Sequence, residues 1–208
     1  LRADLPAAYN GLKAAAREIG GVQIQASGTI GGNLCTASPA GDSIPCLMTL
    51  NAAIELASRR GARRLPLYEF LTGPRQTACA PDELVTAVYV PSDAEMGVGG
   101  FEKLGARRYL VISIAMTAAR LSIADGRIGD AAISVGACAP VAVRLTELEA
   151  GLRGMAYDMA GDFIRDSRSG IMAALSPIDD VRGTAGYRRD AAAEIVARLV
   201  ERLCGEFG

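Results

Sequence analysis

Histidine is absent from this sequence of 208 residues, and its absence excludes several kinds of active site. Ser-His-Asp and Cys-His nucleophile systems need an imidazole as their base, and histidine-ligated metal sites need its ring nitrogens. General acid or base catalysis in this chain would have to use carboxylates, lysine, tyrosine or cysteine. The composition therefore favours a protein whose cofactor, rather than a side chain, carries the difficult chemistry.

Cysteines are few and dispersed, without a C-x-x-C pair. The five positions are Cys35, Cys46, Cys79, Cys138 and Cys204. Iron–sulfur and zinc sites need clustered thiolates, so neither is expected on this chain. An odd number of dispersed thiols also argues against a disulfide framework and favours buried or incidental thiols in a reducing cytosol. Cys35 is expected to be a small apolar filler.

Long hydrophobic runs and an excess of one charge are lacking as well. No apolar stretch approaches the roughly 20 residues that cross a bilayer, and no signal peptide is visible, so we expect no membrane span and a cytoplasmic protein. Lysine and arginine number 22 against 23 acidic residues, a balance that argues against a nucleic-acid partner. A small basic cluster is interpreted as a solvated turn, with contact to a partner subunit or an anionic acceptor as the alternative. Its members are Arg59, Arg60, Arg63 and Arg64.

Glycines and hydrogen-bonding residues are concentrated at 27–42, S-G-T-I-G-G-N-L-C-T-A-S-P-A-G-D. Paired glycines reach positive φ without steric cost, so we expect successive backbone N–H groups to form a nest that binds a pyrophosphate. Thr29, Asn33 and Ser38 supply neutral donors, and Asp42 can accept from sugar hydroxyls. Purely structural turns, and a helix-capping role for Asp42, are the alternatives. Because G-x-G-x-x-G and G-K-[ST] are both absent, any nucleotide site here has another architecture.

The alternation of apolar and polar residues predicts an α+β protein in two parts. In the first part it predicts helices over 5–20 and 43–51, an extended entry at 22–24, strands over 52–57, 64–67 and 84–90, and a helical turn over 68–72. In the second it predicts strands over 100–107, 110–123 and 128–136, a D-G hairpin turn at Asp125-Gly126, and helices over 145–152, 157–175 and 184–206. A boundary within 91–100 gives domains over 1–95 and 96–208.

Four motifs follow one another along the chain. They are T-I-G-G-N with A-S-P-x-x-D within 29–42, P-D-E-L-V-T-x-V-x-V-P at 81–91, F-E-K at 101–103 and D-x-R-G-T-A-x-Y-R-R at 180–189. Together they resemble the FAD-binding medium subunits of molybdenum hydroxylases, of the xanthine dehydrogenase and carbon monoxide dehydrogenase type. The resemblance implies the C-terminal lobe of a two-lobe FAD-binding domain. It then implies a flavoprotein C-terminal domain with a three-stranded antiparallel sheet and a helical cluster.

The resemblance also implies which residues would bind FAD. The pyrophosphate and ribityl region would be lined by Thr29, Ile30, Gly31, Gly32 and Asn33. Asp42 would accept from the cofactor's hydroxyls, and Val85 would pack near the flavin through its backbone or side chain. Lys103 matches a lysine that approaches the isoalloxazine ring, where a cation suits the negative charge that develops on reduction. A solvated surface lysine is the alternative for Lys103.

The sequence departs from the family at three places. The family has an N-terminal lobe with its own glycine-rich FAD loop, which has no counterpart before Leu1; the lack of an initial methionine likewise favours a fragment or a processed product. Gln25 stands where the family commonly has a basic residue, and 109–112 lacks an acidic residue often found there. A fragment, a lobe supplied by another chain and a loss of FAD binding all remain open.

The function that the resemblance implies is electron transfer through FAD in a molybdenum-containing hydroxylase or dehydrogenase. Molybdopterin would be bound by a large subunit and [2Fe–2S] clusters by a small subunit. Electrons would pass from those clusters to FAD on this chain and then to an acceptor such as NAD or a quinone. One alternative is an assembly or docking module of the same family without flavin. Another is a flavin-dependent oxidase with a covalently tethered flavin, for which Cys35 is a poor attachment site.

Overall fold

The first half of the chain begins with helices. The computed structural model describes residues 4–108 and 110–207. A 3-10 turn, Ala7–Tyr9, leads into α1, Asn10–Glu18, and three short helices follow: α2, Val22–Ser27; α3, Ile30–Thr36; and α4, Ser43–Thr49. Every residue of α4 is buried, because the sequence I-P-C-L-M is apolar all round and its side chains complete the first core.

A three-stranded antiparallel sheet follows these helices. Its strands are β1, Ala53–Ser58; β2, Gly61–Pro66; and β5, Leu84–Tyr89, in the order β2-β1-β5. Between β2 and β5 lie α5, Leu67–Phe70, and a two-stranded ribbon of β3, Leu71–Gly73, and β4, Gln76–Thr77. Ile54 and Leu56 of β1 are fully buried, and the residues alternating with them are not, as expected for a sheet that covers a core with one face.

The second half contains a four-stranded antiparallel sheet. Its strands are β6, Val98–Leu104; β7, Ala115–Ala124; β8, Arg127–Gly136; and β9, Val143–Arg144, in that order. The sequence predicts three of these strands, and the two-residue β9 extends the edge by pairing with β8. The β7–β8 turn has positive φ at both Asp125 (51°) and Gly126 (72°), which is the hairpin turn that the D-G pair predicts.

A helical cluster covers one face of this sheet. It contains α6, Thr146–Leu152; a 3-10 turn, Tyr157–Met159; α7, Ala160–Asp166; α8, Arg168–Ala173; and α9, Ala185–Gly205. The single helix predicted over 157–175 is wrong, because the backbone of Ser167 leaves helical geometry (ψ 4°) between α7 and α8. Both short segments pack against α9, which buries Leu199, Val200 and Leu203 on the sheet.

Two glycines bring the first 3-10 turn and α1 against the second sheet. A Cβ added at Gly99 would lie 2.0 Å from the Ala8 carbonyl oxygen, and one at Gly11 would lie 2.6 Å from the Gly100 carbonyl oxygen. Helix and strand therefore touch backbone to backbone. Arg120 of β7 adds a second link, since its buried guanidinium donates to the carbonyls of Thr49 (3.0 Å) and Met96 (3.1 Å). The two halves thus share one packed boundary.

Two further local predictions are wrong. Residues 22–24 are not extended but form the start of α2, whose residues are all exposed. The strand predicted over 110–123 begins only at Ala115, because the preceding chain is irregular and Leu110 has positive φ (51°). Tyr109, part of the segment that lacks an acidic residue, lies outside the described residues. Within the described residues, no helix is both long and apolar enough to cross a membrane.

Candidate functional site

The glycine pair lies in a helix rather than in a loop. Gly31 and Gly32 occupy the first turn of α3 with helical backbone, so the predicted nest of positive-φ glycines is wrong. Thr29 begins the helix as its N-cap, and its Oγ1 accepts a hydrogen bond from the Gly32 amide at 3.0 Å. Thr29, Ile30 and Gly32 are exposed, and Ile30 presents 45% of its surface to solvent. The first turn of α3 is therefore accessible, and its two glycines have no side chains to cover the backbone.

The packing of this chain does not require a glycine at position 31 and leaves only a tight fit for a larger residue at position 32. A Cβ at Gly31 would meet only Val85 Cγ1 at 3.8 Å, which is ordinary van der Waals contact. At Gly32 the nearest atom would be Thr29 Oγ1 at 3.1 Å. At Gly99, by contrast, a Cβ would lie only 2.0 Å from a backbone oxygen, so glycine is required there. Because glycine lowers helix stability by about 0.5–1 kcal/mol relative to alanine, the packing of this chain does not account for the glycine at position 31.

Strand β5 is the neighbour of this turn. The half-buried Val85 lies beside Gly31, so two of the predicted site residues come together. Within the described residues β5 is an edge strand, paired only with β1. Some main-chain groups of β5 are therefore available to a partner other than a strand of this sheet.

Asn33 connects α3 to α4. Its Oδ1 accepts a hydrogen bond from Ser43 Oγ at 2.6 Å. Ser43 is buried in the first turn of α4, so the contact fixes the position of the Asn33 side chain. Nearby, Ser38 Oγ accepts from the Ala40 amide at 3.3 Å and so stabilises the turn between the helices. The Asn33 amide nitrogen donates to no group among the described residues and remains a donor for a ligand.

Asp42 and Lys103 form a buried ion pair across the two halves of the chain. Lys103 Nζ lies 2.6 Å from Asp42 Oδ2, and the two side chains are 8% and 6% exposed. Ser113 Oγ donates to the other carboxylate oxygen of Asp42, also at 2.6 Å. Asp42 occupies the N-cap position of α4, but its side chain makes no capping hydrogen bond. The solvated-lysine alternative for Lys103 is wrong, because its side chain is buried in the ion pair. Each Asp42 oxygen keeps lone pairs for further donors.

Ser113 is a part of this cluster that sequence reasoning missed. It is buried, with 2% of its surface exposed, in the short stretch before β7. A single hydroxyl inside the apolar run L-V-I-S-I was the available signal, because a buried hydroxyl needs a hydrogen-bond partner. The partner is 71 residues away in the chain, and no local pattern identifies it.

The five cysteines are dispersed through the structure and have no paired thiols. Cys46 of α4 is buried, and its burial, with the nearby Asp42 carboxylate, raises the pKa of the thiol. Cys35 is exposed on α3, so the prediction of an apolar filler is wrong. Burial likewise raises the pKa of Cys138 and of Cys204 to about 11 each. A group of three or more metal-ligating side chains does not occur within 4–108 and 110–207.

Two cavities differ in their relation to this cluster. A cavity of about 430 Å³ adjoins Lys103 and is lined by Ala14 and Glu18 of α1 and by residues 101–105, 107 and 108. A larger one, of about 630 Å³, lies between α6 and α8 and contains none of the predicted site residues. Size alone therefore does not mark the site. The cavity beside Lys103 also borders the start of the irregular stretch before β7, at residues 105, 107 and 108.

Three arginines of the basic cluster contact partners on the first sheet and its flanking loops. Arg60 pairs with Asp82, and Arg63 lies 2.7 Å from Glu83. Hydrogen bonds from Arg63 and from the Ala80 amide hold the pKa of Glu83 at about 2. Arg64 lies over the Tyr89 ring, 3.2 Å from its centroid. These contacts favour the structural interpretation of the cluster.

Sequence comparison relates the two halves to two families. The family described as "FAD binding domain in molybdopterin dehydrogenase" matches residues 2–93, and the one described as "CO dehydrogenase flavoprotein C-terminal domain" matches residues 101–203. The nicotine 6-hydroxylase medium subunit of Paenarthrobacter nicotinovorans is 33% identical over 91% of this chain and 65% of its own length. The carbon monoxide dehydrogenase medium chain of Afipia carboxidovorans is 32% identical over 86% of this chain and 62% of its own length.

Solved structures of carbon monoxide dehydrogenases also align with most of this chain. A crystal structure of the Cu,Mo-CO dehydrogenase in its cyanide-inactivated form contains a chain that is 30% identical, with a TM-score of 0.82. The carbon monoxide dehydrogenase of Hydrogenophaga pseudoflava gives 27% identity and a TM-score of 0.84. Each alignment covers 91% of this chain and 65% of the other. The present chain therefore spans less than two thirds of the length of these relatives.

Proposed function

The chain belongs to the family of FAD-binding medium subunits of molybdenum hydroxylases. We propose that it binds FAD at the first turn of α3, beside strand β5, and transfers electrons through this cofactor. By analogy with the family, a partner with [2Fe–2S] clusters would deliver the electrons and a partner with molybdopterin would oxidise the organic substrate. The acceptor would be a small molecule such as NAD or a quinone. A cytoplasmic location remains a prediction.

The glycine pair is the observation that carries the proposal. Both glycines are at least partly accessible, Gly31 has room for a methyl group within this chain, and both lower the stability of α3. A bulky ligand that lies against the backbone explains all three properties. The pyrophosphate of FAD is such a ligand, because the first helix amides that the Thr29 cap leaves open can donate to its oxygens. The Asn33 side-chain amide, which has no acceptor among the described residues, can donate as well.

Lys103 would place a positive charge beside the flavin ring. Asp42 holds the lysine by its ion pair, and Ser113 holds Asp42, so the ammonium group is fixed in position before any ligand binds. Bound FAD would supply the electron-transfer chemistry, and this chain would supply position and charge. Asp42 could still accept from a cofactor hydroxyl through its remaining lone pairs, as the resemblance implies.

A substitution at Gly31 tests the site directly. Gly31→Ala should leave the fold intact or stabilise it by about 0.5–1 kcal/mol, because the methyl group has room and alanine favours helix. It should nevertheless weaken FAD binding by about tenfold or more, since the methyl group would occupy the surface where the cofactor lies. Flavin content of the assembled enzyme and a titration with FAD after flavin removal measure the effect.

The matched control is Gly170→Ala in α8. Gly170 is likewise a helical glycine, although more exposed than Gly31, and a Cβ there would meet no atom within 4 Å. It should give a similar gain in stability and unchanged FAD binding. Equal FAD affinity in wild type, Gly31→Ala and Gly170→Ala would show that the site is elsewhere. An assembled enzyme without flavin absorbance would instead favour the docking-module alternative.

A further inference from the structure

Strand β5 contains one residue more than its partner strand. Leu56 of β1 pairs with Val85, and the next residue back, Glu55, pairs with Ala87. Thr86 therefore has no pairing partner in β1, and β5 forms a β-bulge at this residue. Bulges are concentrated at sheet edges and near functional sites, where they change the direction of the main chain.

The core of the first sheet does not require this bulge. Val85 pairs with Leu56 and Val88 with Ile54, and both β1 partners are fully buried. Without Thr86 the same pairs would follow one another with the normal alternation of faces. Thr86 itself is exposed, so the extra residue buries no apolar surface while it interrupts the ladder.

A network on the outer face of the sheet holds the bulge. Thr86 Oγ1 donates to Glu55 Oε1 at 2.9 Å, and the Tyr89 hydroxyl donates to Glu55 Oε2 at 3.1 Å. Arg64 completes the network, with its guanidinium 3.7 Å from the same carboxylate and stacked on the Tyr89 ring. One carboxylate thus fixes both the bulge and the end of the strand.

The bulge adjoins the residue that faces the glycine pair. Val85 immediately precedes Thr86, and its side chain lies beside Gly31. Because β5 is an edge strand among the described residues, a change of direction at Thr86 alters how the main chain of Val85 is presented at the open side. The glycine pair and the bulge are two local irregularities, and they meet at one place.

We propose that the Thr86 bulge, held by Glu55, positions the main chain of Val85 toward the FAD that the α3 turn binds. The inference rests on the proposed function and assigns Thr86 and Glu55 as positioning residues. They need not touch the cofactor. They set the direction of a peptide group that can exchange hydrogen bonds with the polar edge of the flavin ring.

Deletion of Thr86 removes the bulge while it keeps every observed β1–β5 pair. We expect the assembled enzyme with this deletion to remain folded and to bind FAD about tenfold or more weakly, because one or more hydrogen bonds to the ring are misdirected. The flavin retained should have an altered visible circular dichroism spectrum and a shifted reduction potential. Wild-type affinity, spectrum and potential in a folded deletion variant would overturn the proposal.

Two substitutions keep the test decisive if the deletion variant does not fold. Thr86→Val removes the hydroxyl but keeps the shape and strand preference, and Thr86→Ser keeps the hydroxyl. We expect FAD binding about three- to tenfold weaker for Thr86→Val, with a spectral change, and near-normal values for Thr86→Ser. Equal affinities and spectra in both variants and wild type would overturn the positioning role.

Failure of this inference can be separated from failure of the proposed function. If wild-type enzyme binds FAD and Gly31→Ala weakens it, but the Thr86 variants behave as wild type, only the role of the bulge is wrong. If Gly31→Ala also has no effect, the site itself is wrong, and the role of the bulge fails with it.

Discussion

At the scale of single residues, the buried pair of Asp42 and Lys103 is the most consequential contact. Both side chains are almost inaccessible, and they join parts of the chain 61 residues apart. Breaking such a pair on one side leaves a buried charge without compensation, which costs more than the pair contributes when intact. Lys103 is also one of only two lysines in the sequence, the other being Lys13.

A double-mutant cycle tests the energy of this contact. Asp42→Asn should lower the free energy of unfolding by about 3–5 kcal/mol, because it leaves the Lys103 ammonium buried opposite a neutral amide. Asp42→Asn combined with Lys103→Met should be less destabilised than Asp42→Asn alone, since no charge remains. Urea denaturation measures both. Additive losses, with no coupling between the two positions, would contradict the description of a buried pair.

The sequence proposes members for the candidate site, which stay a prediction, but it does not reveal how they are arranged in the fold. The string T-I-G-G-N and the lysine of F-E-K identify α3 and Lys103 through resemblance, since short local patterns suffice. Ser113 and Glu55 could not be found, because each acts through a contact 71 or 31 residues away in the chain. The glycine pair was expected to form a loop, and the Thr29 cap instead turns it into a helix.

At the scale of elements, the start of α9 is fixed by a charged turn. Asp180 accepts from the Arg182 amide (2.8 Å) and from the guanidinium of the buried Arg188 (2.6 Å). Arg188 also donates to the Ile114 carbonyl at 2.6 Å, which connects the helix to β7 and to the stretch that carries Ser113. Thr184 caps the helix by accepting from the Tyr187 amide. The turn therefore positions both a helix and the neighbouring strand.

Acid should weaken this turn in a defined range. The Arg182 amide, with the Arg188 and Arg182 side chains, lowers the pKa of Asp180 from 3.8 to about 2. A carboxyl whose pKa is lower in the folded state contributes stability above its unfolded pKa and loses that contribution as the pH falls through the folded value. We therefore expect Asp180→Asn to flatten the pH dependence of stability between about pH 4 and pH 2.

Urea midpoints measured across that range provide the test. Asp125→Asn is the control, because Asp125 is exposed at a hairpin turn whose positive φ asparagine also accepts. An unchanged slope in Asp180→Asn would show that the ion pairs of the turn do not contribute to folding. The control should retain the slope of the wild type.

Element prediction succeeded where the apolar periodicity was long or a turn had a specific signature. Strands β1, β5 and β8, helix α9 and the D-G hairpin follow from the sequence. Short segments failed, because six residues of α2 carry too little periodicity to separate helix from strand. The bulge at Thr86 and the break at Ser167 depend on tertiary contacts that no local pattern encodes.

At the scale of the whole molecule, the two halves share a boundary that contains backbone contacts, a buried ion pair and a buried arginine. Ala15, Cys46, Phe101, Met116 and Ala118 form a small core that takes residues from both halves. A boundary of this kind differs from the loose contacts between independently moving domains. The halves should therefore unfold together.

Gly99→Ala tests this cooperative unit. Its methyl group would lie 2.0 Å from the Ala8 carbonyl oxygen, so the 3-10 turn that leads into α1 must move away from β6, and we expect a loss of about 3 kcal/mol or more. Scanning calorimetry should show one transition at a lower temperature for the whole chain. Gly129→Ala is the control, since a Cβ on that exposed strand residue would lie 3.7 Å from its nearest neighbour. Two separated transitions in the wild type would contradict a shared boundary.

One edge strand of the first sheet, β2, is protected against pairing with other chains, and the other, β5, is not. The β2 edge carries arginines and ends in Pro66, devices that keep other strands away, whereas β5 presents L-V-T-A-V-Y without a single charge, and Leu84 is 73% exposed. If FAD lies at the open side of β5, the cofactor also shields the edge that most needs it. Loss of flavin would then expose β5 to aggregation with other chains and also abolish redox function. A net charge of only −1 would do little to oppose that aggregation.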